Sequence, residues 1–209
     1  MTLVSALLSL SLMSAAALFD PITDFFVWDK VAILHGQLWR ILLGNFAHNN
    51  LEHFMINILS LWLLGWLFRP TGATYLVTTL IFSTAIGAVL LKTTTVQYVG
   101  LSGSLHSLFA YFSFQEIVSG KKGGGLLLIS LAVKLGVGEN IGVNDQALIP
   151  IATMAHSAGV FVGLAGSITY LAIEKGRFFF GISTRRVQSH KKALPPYRMV
   201  QKIFHHLSK

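Results

Sequence analysis

The sequence predicts an all-α membrane protein, a bundle of six transmembrane helices followed by a basic tail. Three observations carry this. Of the 209 residues, 53% are hydrophobic and 11% charged, with a mean hydropathy of +0.64, more apolar than a soluble domain of this size requires. The apolar residues gather in separate runs close to the roughly 20 residues that a helix needs to cross a bilayer. Nine of the 16 Lys and Arg follow Tyr170, so the net charge of +8 fits the positive-inside rule better than a nucleic-acid surface. The absence of Cys excludes disulfides, thiol catalysis and Cys-ligated metals.

The first span is expected over Leu3–Phe19. The small residues Ser14 to Ala17 would also suit a cleaved signal peptide, but no basic residue precedes the run. Residues 20–50 carry three Asp, Lys30, Arg40 and Pro21, too polar to span, and read as a structured first loop lying partly in the interface, where Trp28 and Trp39 fit. The second span covers Leu51–Phe68, stopped by Arg69-Pro70. The third covers Gly72–Leu91, stopped by Lys92. The fourth, Val99–Val118, is unusually polar, and polar groups at membrane depth are costly unless they face the bundle, pair or meet water. Lys121-Lys122 closes it. The fifth, Gly123–Val137, is short, with Lys134 near its end. A fifth loop over 138–150 leads to the sixth span, Ile151–Ile173, where Gly159, Gly163 and Gly166 permit a close helix approach. Residues 1–173 thus form one core, and 174–209 a basic tail. With six spans, Arg69, Lys121, Lys122 and the tail cations share one side, which makes both termini cytoplasmic.

A serine hydroxyl needs a base within hydrogen-bond reach before it can attack a carbonyl. Gly100-Leu101-Ser102-Gly103 offers such a serine on a turn that glycine permits, at a helix start whose unpaired N–H groups could hold an oxyanion. Taken alone, the pattern suits helix packing better than catalysis. His156, in Ala155-His156-Ser157-Ala158-Gly159 with Gly163 beyond, is the candidate base, and Gly103, Gly159 and Gly163 would let the fourth and sixth helices meet. A structural histidine is the alternative. His53 and Asn57 lie four apart on one helix face and carry donors suited to an oxyanion hole, with Gly100 beside them. His48, Glu52 and His53 are metal-ligand types, but H-E-x-x-H is absent and no metal site is expected.

Together these elements resemble the rhomboid family of intramembrane serine proteases. That family carries G-x-S-G, A-H-x-x-G-x-x-x-G and H-x-x-x-x-H-x-x-x-N elements and a Trp-Arg pair in the first loop, matched by Gly100 to Gly103, Ala155 to Gly163, His48 to Asn57, and Trp39-Arg40. The resemblance implies a six-helix rhomboid-like bundle in which Ser102 attacks the scissile carbonyl and His156 acts as base and then acid. Asn57, His53 and the Ser102 N–H would hold the oxyanion, and Trp39 and Arg40 would brace the first loop. It implies a dyad without a carboxylate and no cofactor. Many members place an aromatic residue four after the serine, where this chain has His106. That departure, with the compact core and the Lys134 to Glu139 stretch, is similar to the rhombosortase branch. The likeness implies a bacterial inner-membrane enzyme, opening to the periplasm, that cleaves membrane-anchored exported proteins near a C-terminal Gly-Gly tail.

His106 lies one turn from Ser102 and is itself a candidate base, though an i, i+4 pair rarely aligns for that role. Other readings are an inactive rhomboid relative that binds spans, a rhomboid protease not specific for Gly-Gly tails, and a small transporter. The last would show internal repeats, which the sequence lacks. Nucleic acid is not an expected partner; the lipid bilayer is.

Overall fold

A computed structural model describes residues 1–138 and 149–179 of the chain. Residues 139–148, most of the expected fifth loop, and 180–209, most of the expected tail, lie outside the described residues, Glu139 among them. The order is α1 (Leu3–Ala16), α2 (Ile22–Phe26), β1 (Trp28–Asp29), α3 (Lys30–Leu34), α4 (Trp39–Leu43), α5 (Leu51–Phe68), α6 (Gly72–Leu90), β2 (Gln97–Tyr98), α7 (Ser102–Val118), α8 (Gly123–Gly138) and α9 (Ile149–Phe179). The protein is therefore mostly helical, and its longer helices occupy the apolar runs. Among the described residues, α5, α6 and the Met154–Lys175 part of α9 are long and apolar enough to cross a membrane, while α1 and α8 are shorter apolar helices.

Local chemistry sets the helix ends. Thr2, Asn50 and Thr71 each accept an N–H from the first turn of α1, α5 and α6 through their side chains. Arg69 closes α5 in the left-handed conformation at φ 47°, ahead of Pro70. Two expected boundaries need correction. The fourth helix begins at Ser102 rather than Val99, because Gly100 sits at φ +118°, outside helical geometry. The last helix does not stop at Ile173 but runs to Phe179, since no proline interrupts the chain there. The first loop is three short helices and a strand.

The core forms around α7. Its Leu105, Leu108, Tyr111 and Phe112 pack with Leu61 and Leu64 of α5, Tyr75 and Phe82 of α6, and Leu7 and Leu10 of α1. In lipid the hydrophobic effect does not press helices together, so close van der Waals packing and interhelical hydrogen bonds must do so. Small residues supply that packing where α9 crosses α7. A Cβ on Gly159 would overlap the Gly103 carbonyl, and one on Gly163 the Ser107 carbonyl. The Ser167 hydroxyl adds a hydrogen bond to the Tyr111 carbonyl at 3.0 Å. Gly124 likewise admits α8 to the backbone of α7 at Ser113 and Ile117.

The outer faces are apolar. Leu63, Trp66, Leu126, Ile129, Phe161 and Ile168 are all exposed, a distribution unsuited to water but natural against acyl chains. Replacing Gly163 with leucine should force α9 off α7 and destabilise the fold by at least ~1–3 kcal/mol. Thermal unfolding in detergent checks this: a marked drop in midpoint is expected, whereas Gly125→Leu, at a site with open space around it, should change little.

Candidate active site

The residues around Ser102 are positioned from the first loop. β1 pairs antiparallel with β2, matching Trp28 with Tyr98 and Asp29 with Gln97, and the Lys30 N–H extends the ladder to the Val96 carbonyl at 2.9 Å. Asp29 caps α3 through the Ala32 N–H and accepts the Gln97 amide at 2.9 Å. The Ala32 bond first, and the Gln97 bond after it, hold its carboxyl below the ordinary value. Trp28 is fully buried, with its indole donating to the Gly87 carbonyl at 3.0 Å and Gly44 lying flat against it. Arg40 donates to the carbonyls of Asp24 and Val27 at 2.6 and 2.7 Å, and Trp39 to that of Phe25 at 3.2 Å. These two side chains therefore tie α4 to the segment that carries Trp28.

From this frame the chain turns into α7. The Gly100 N–H donates to the Gly44 carbonyl at 3.3 Å, and the Gly100 carbonyl accepts the Tyr98 hydroxyl at 2.6 Å. A side chain at Gly100 would meet the His53 ring at 2.6 Å, so glycine serves both the positive φ and the close approach of that imidazole. Below the turn lies a buried polar knot. Asn45 donates to the Ser83 carbonyl at 2.9 Å and accepts the Ser104 hydroxyl at 3.1 Å, while the Ser83 and Ser104 hydroxyls meet at 2.9 Å. All three residues are fully buried, so first loop, α6 and α7 are fastened at one point beneath Ser102.

Ser102 opens α7, and the Leu105 N–H is the one that closes on the Leu101 carbonyl at 2.9 Å. The amides of Ser102, Gly103 and Ser104 precede that first helical bond. His156 arrives from α9 with Nε2 2.9 Å from Ser102 Oγ. His106 lies beneath it, ring centroids 4.3 Å apart and planes 19° apart. Its Nδ1 donates to the Ser102 carbonyl at 2.7 Å, leaving Nε2 to accept the Lys134 ammonium at 3.4 Å. Both of its nitrogens are thus engaged away from the Ser102 hydroxyl.

α5 supplies the opposite wall. Asn50 caps the helix by accepting the His53 N–H at 2.8 Å, and Asn57, one turn on, donates to the His53 carbonyl at 2.8 Å. His48 packs edge-on against the rings of His53 and Phe54 and donates to the Phe46 carbonyl at 3.1 Å. Burial, and then His53 beside it, lower its pKa to about 4, so it is neutral near pH 7. Ser102, His156, His53, Asn57, His106 and Lys134 all line one cavity of about 910 Å³. Gly100 differs from its expected place among oxyanion donors, because its N–H is taken by Gly44. Among the described residues no cluster of three or more His, Asp or Glu is arranged to hold a metal.

Tyr98, Asn45 and Lys134 were not legible as site residues. Asn45 and Lys134 act through partners distant in sequence, and the Tyr98 hydroxyl reaches a carbonyl only because Gly100 turns the chain back on it. Residues 35–173, well over half of the chain, match the family model of the Rhomboid domain. The chain belongs to the rhomboid family. Rhomboids are intramembrane serine proteases that act on membrane proteins within the lipid bilayer, so this chain is an integral membrane protein. A comparison with curated proteins returned no match.

Asn45→Leu should destabilise this rhomboid by ~1–3 kcal/mol, because it strips partners from a buried hydroxyl and carbonyl. Chemical denaturation in detergent measures it. Asn45→Asp, which keeps the acceptor for Ser104 but loses the donor for Ser83, should also fall below wild type.

Proposed function

We propose that this rhomboid is an active endopeptidase whose nucleophile is Ser102 and whose base is His156. The supporting observation is the 2.9 Å contact between His156 Nε2 and Ser102 Oγ, made between two helices and bordering a cavity. In this reading the Ser102 hydroxyl donates to His156, which removes the proton as Oγ attacks the scissile carbonyl and returns it to the leaving amine. Water then hydrolyses the acyl-enzyme by the same route. His156 needs no carboxylate partner within residues 151–173, which hold neither Asp nor Glu.

The developing oxyanion would be met by the Ser102 N–H, the His53 ring and the second N–H of the Asn57 amide, whose first already holds the His53 carbonyl. His106 would serve as a platform: its stacking fixes the His156 ring plane, and its own nitrogens are occupied. His48 would in turn limit the rotation of His53.

The substrate we favour is a membrane-anchored protein with a single span and a C-terminal Gly-Gly tail, cut on the periplasmic side of a bacterial inner membrane. The support is the histidine at the stacking position and the Lys134 stretch, both similar to rhombosortases. The bias of Lys and Arg supports cytoplasmic termini and a core of six spans over 1–173, with 174–209 as a cytoplasmic tail. A rhomboid protease of broader specificity is the second reading.

The test is cleavage of a reporter carrying a Gly-Gly, apolar and Arg-rich tail, co-expressed with each variant. Ser102→Ala and His156→Ala should both abolish trimming, and Asn57→Ala should slow it ~10²-fold. His106→Phe should retain activity, because it keeps a stacking ring but removes both nitrogens. Loss of cleavage in His106→Phe equal to that in His156→Ala would transfer the base role to His106. Trimming that survives Ser102→Ala would end the reading, and equal cutting of a tail without Gly-Gly would favour the broader protease.

A further inference from the structure

α5 and α8 both pack on α7, and both line the Ser102 cavity. Beyond Glu52 in its first turn and the indoles of Trp62 and Trp66, the polar side chains of α5 are His53, Asn57 and Ser60, and all of them line the cavity. Those of α8 are Ser130 and Lys134, and both line it. The exposed residues that the same helices turn elsewhere, Leu59, Leu67, Leu126, Ile129 and Val133, are apolar. His53 and Asn57 face the oxyanion in the proposed reaction, whereas Ser60 and Ser130 have no part in it. Ser60 lies about 4.5 Å further along α5 than Asn57, and Ser130 about 6 Å from Lys134 towards the start of α8, at 1.5 Å per residue. Both sit near the middle of their helices, while Ser102 stands at the first residue of α7.

Each of these hydroxyls uses its proton within its own helix. Ser60 donates to the Ile56 carbonyl and Ser130 to the Leu127 carbonyl, both at 2.8 Å. A hydroxyl has one donor and two acceptor lone pairs, so each keeps accepting capacity alone, and the group that matches it is an N–H. The reaction supplies such groups. A peptide bond in or beside a transmembrane helix reaches Ser102 only when that helix unwinds, which frees backbone N–H groups over about a turn. At membrane depth those donors must be met by protein or water. In a tail whose apolar span follows the Gly-Gly, the residues that enter the bilayer are those after the cut. We propose that Ser60 and Ser130 are specificity-determining residues that accept backbone N–H groups of the substrate span just C-terminal to the bond cut at Ser102. They continue inwards the polar line that His53 and Asn57 begin, with donors for the oxyanion beside Ser102 and acceptors for the freed amides below it. Every residue except proline offers that N–H, so the serines select a span that opens without proline there.

The inference rests on the protease reading, but its test needs no turnover. Ser102→Ala protein in detergent is titrated with fluorescent peptides spanning a Gly-Gly and apolar tail, read by anisotropy. One peptide has every amide intact. Each of the others carries a single amide-to-ester replacement in the first turn after the Gly-Gly, which deletes one N–H and keeps the chain length. At least one ester should weaken binding roughly fivefold, the size of a lost hydrogen bond. Adding Ser60→Ala or Ser130→Ala should weaken the intact peptide by a similar factor and erase the penalty of an ester whose acceptor is already gone. Ser60→Thr and Ser130→Thr, which keep a hydroxyl, should preserve both the affinity and the penalty. Esters that bind as well as the intact peptide, penalties unchanged when both serines are replaced, or no binding of the intact peptide would overturn the assignment. A serine whose loss erases no penalty has no such role. Serine-dependent penalties in a protein whose wild type cuts no reporter would instead count against the protease reading alone.

Discussion

The structure depends on the contact of α9 with the backbone of α7 through glycine. Gly159 against the Gly103 carbonyl and Gly163 against that of Ser107 bring two helices closer than any side chain would allow. Hydrogen-bond reach between Ser102 and His156 follows from that approach, since 54 residues separate them and no local element joins them. A β-carbon at either glycine would push the helices apart by about its own thickness. A loss of that size matters because proton transfer is confined to a heavy-atom distance of about 2.6–3.2 Å.

A second constraint fixes the serine from the other side. The turn at Gly100 is held by the Gly44 carbonyl, the Tyr98 hydroxyl and the Asn45, Ser83 and Ser104 knot, all of which trace back to a first loop anchored by Trp28 and Arg40. The first loop is thus part of the scaffold of the candidate site. The same arrangement handles the polarity of α7. Ser107 and His106 turn to backbone carbonyls, Ser104 to Asn45 and Ser102 to the cavity, so these polar groups need not face lipid.

How much of this could be read from the sequence follows from the range of each interaction. Helices α5 and α6 were legible because apolarity is local and Arg69-Pro70 and Lys92 interrupt it. The meeting of Ser102 and His156 was legible only through glycine spacing and family resemblance, since neither residue carries information about its partner. Misplaced boundaries had local causes of another kind. Val99 is apolar enough to extend a helix, and only the backbone conformation of Gly100 forbids it. The strand pair, the Asn45 knot and the Lys134 contact were hidden because each joins segments 21 to 70 residues apart through a few atoms.

The central claim is that Ser102 is made nucleophilic by His156. Its most direct test is labelling of the detergent-solubilised protein by a fluorophosphonate, with the modified residue located by peptide mass spectrometry. The account predicts one phosphonylated residue, Ser102, and no adduct when His156 is replaced by alanine in a protein that remains folded. An adduct on another serine, or undiminished labelling of Ser102 without His156, would contradict it.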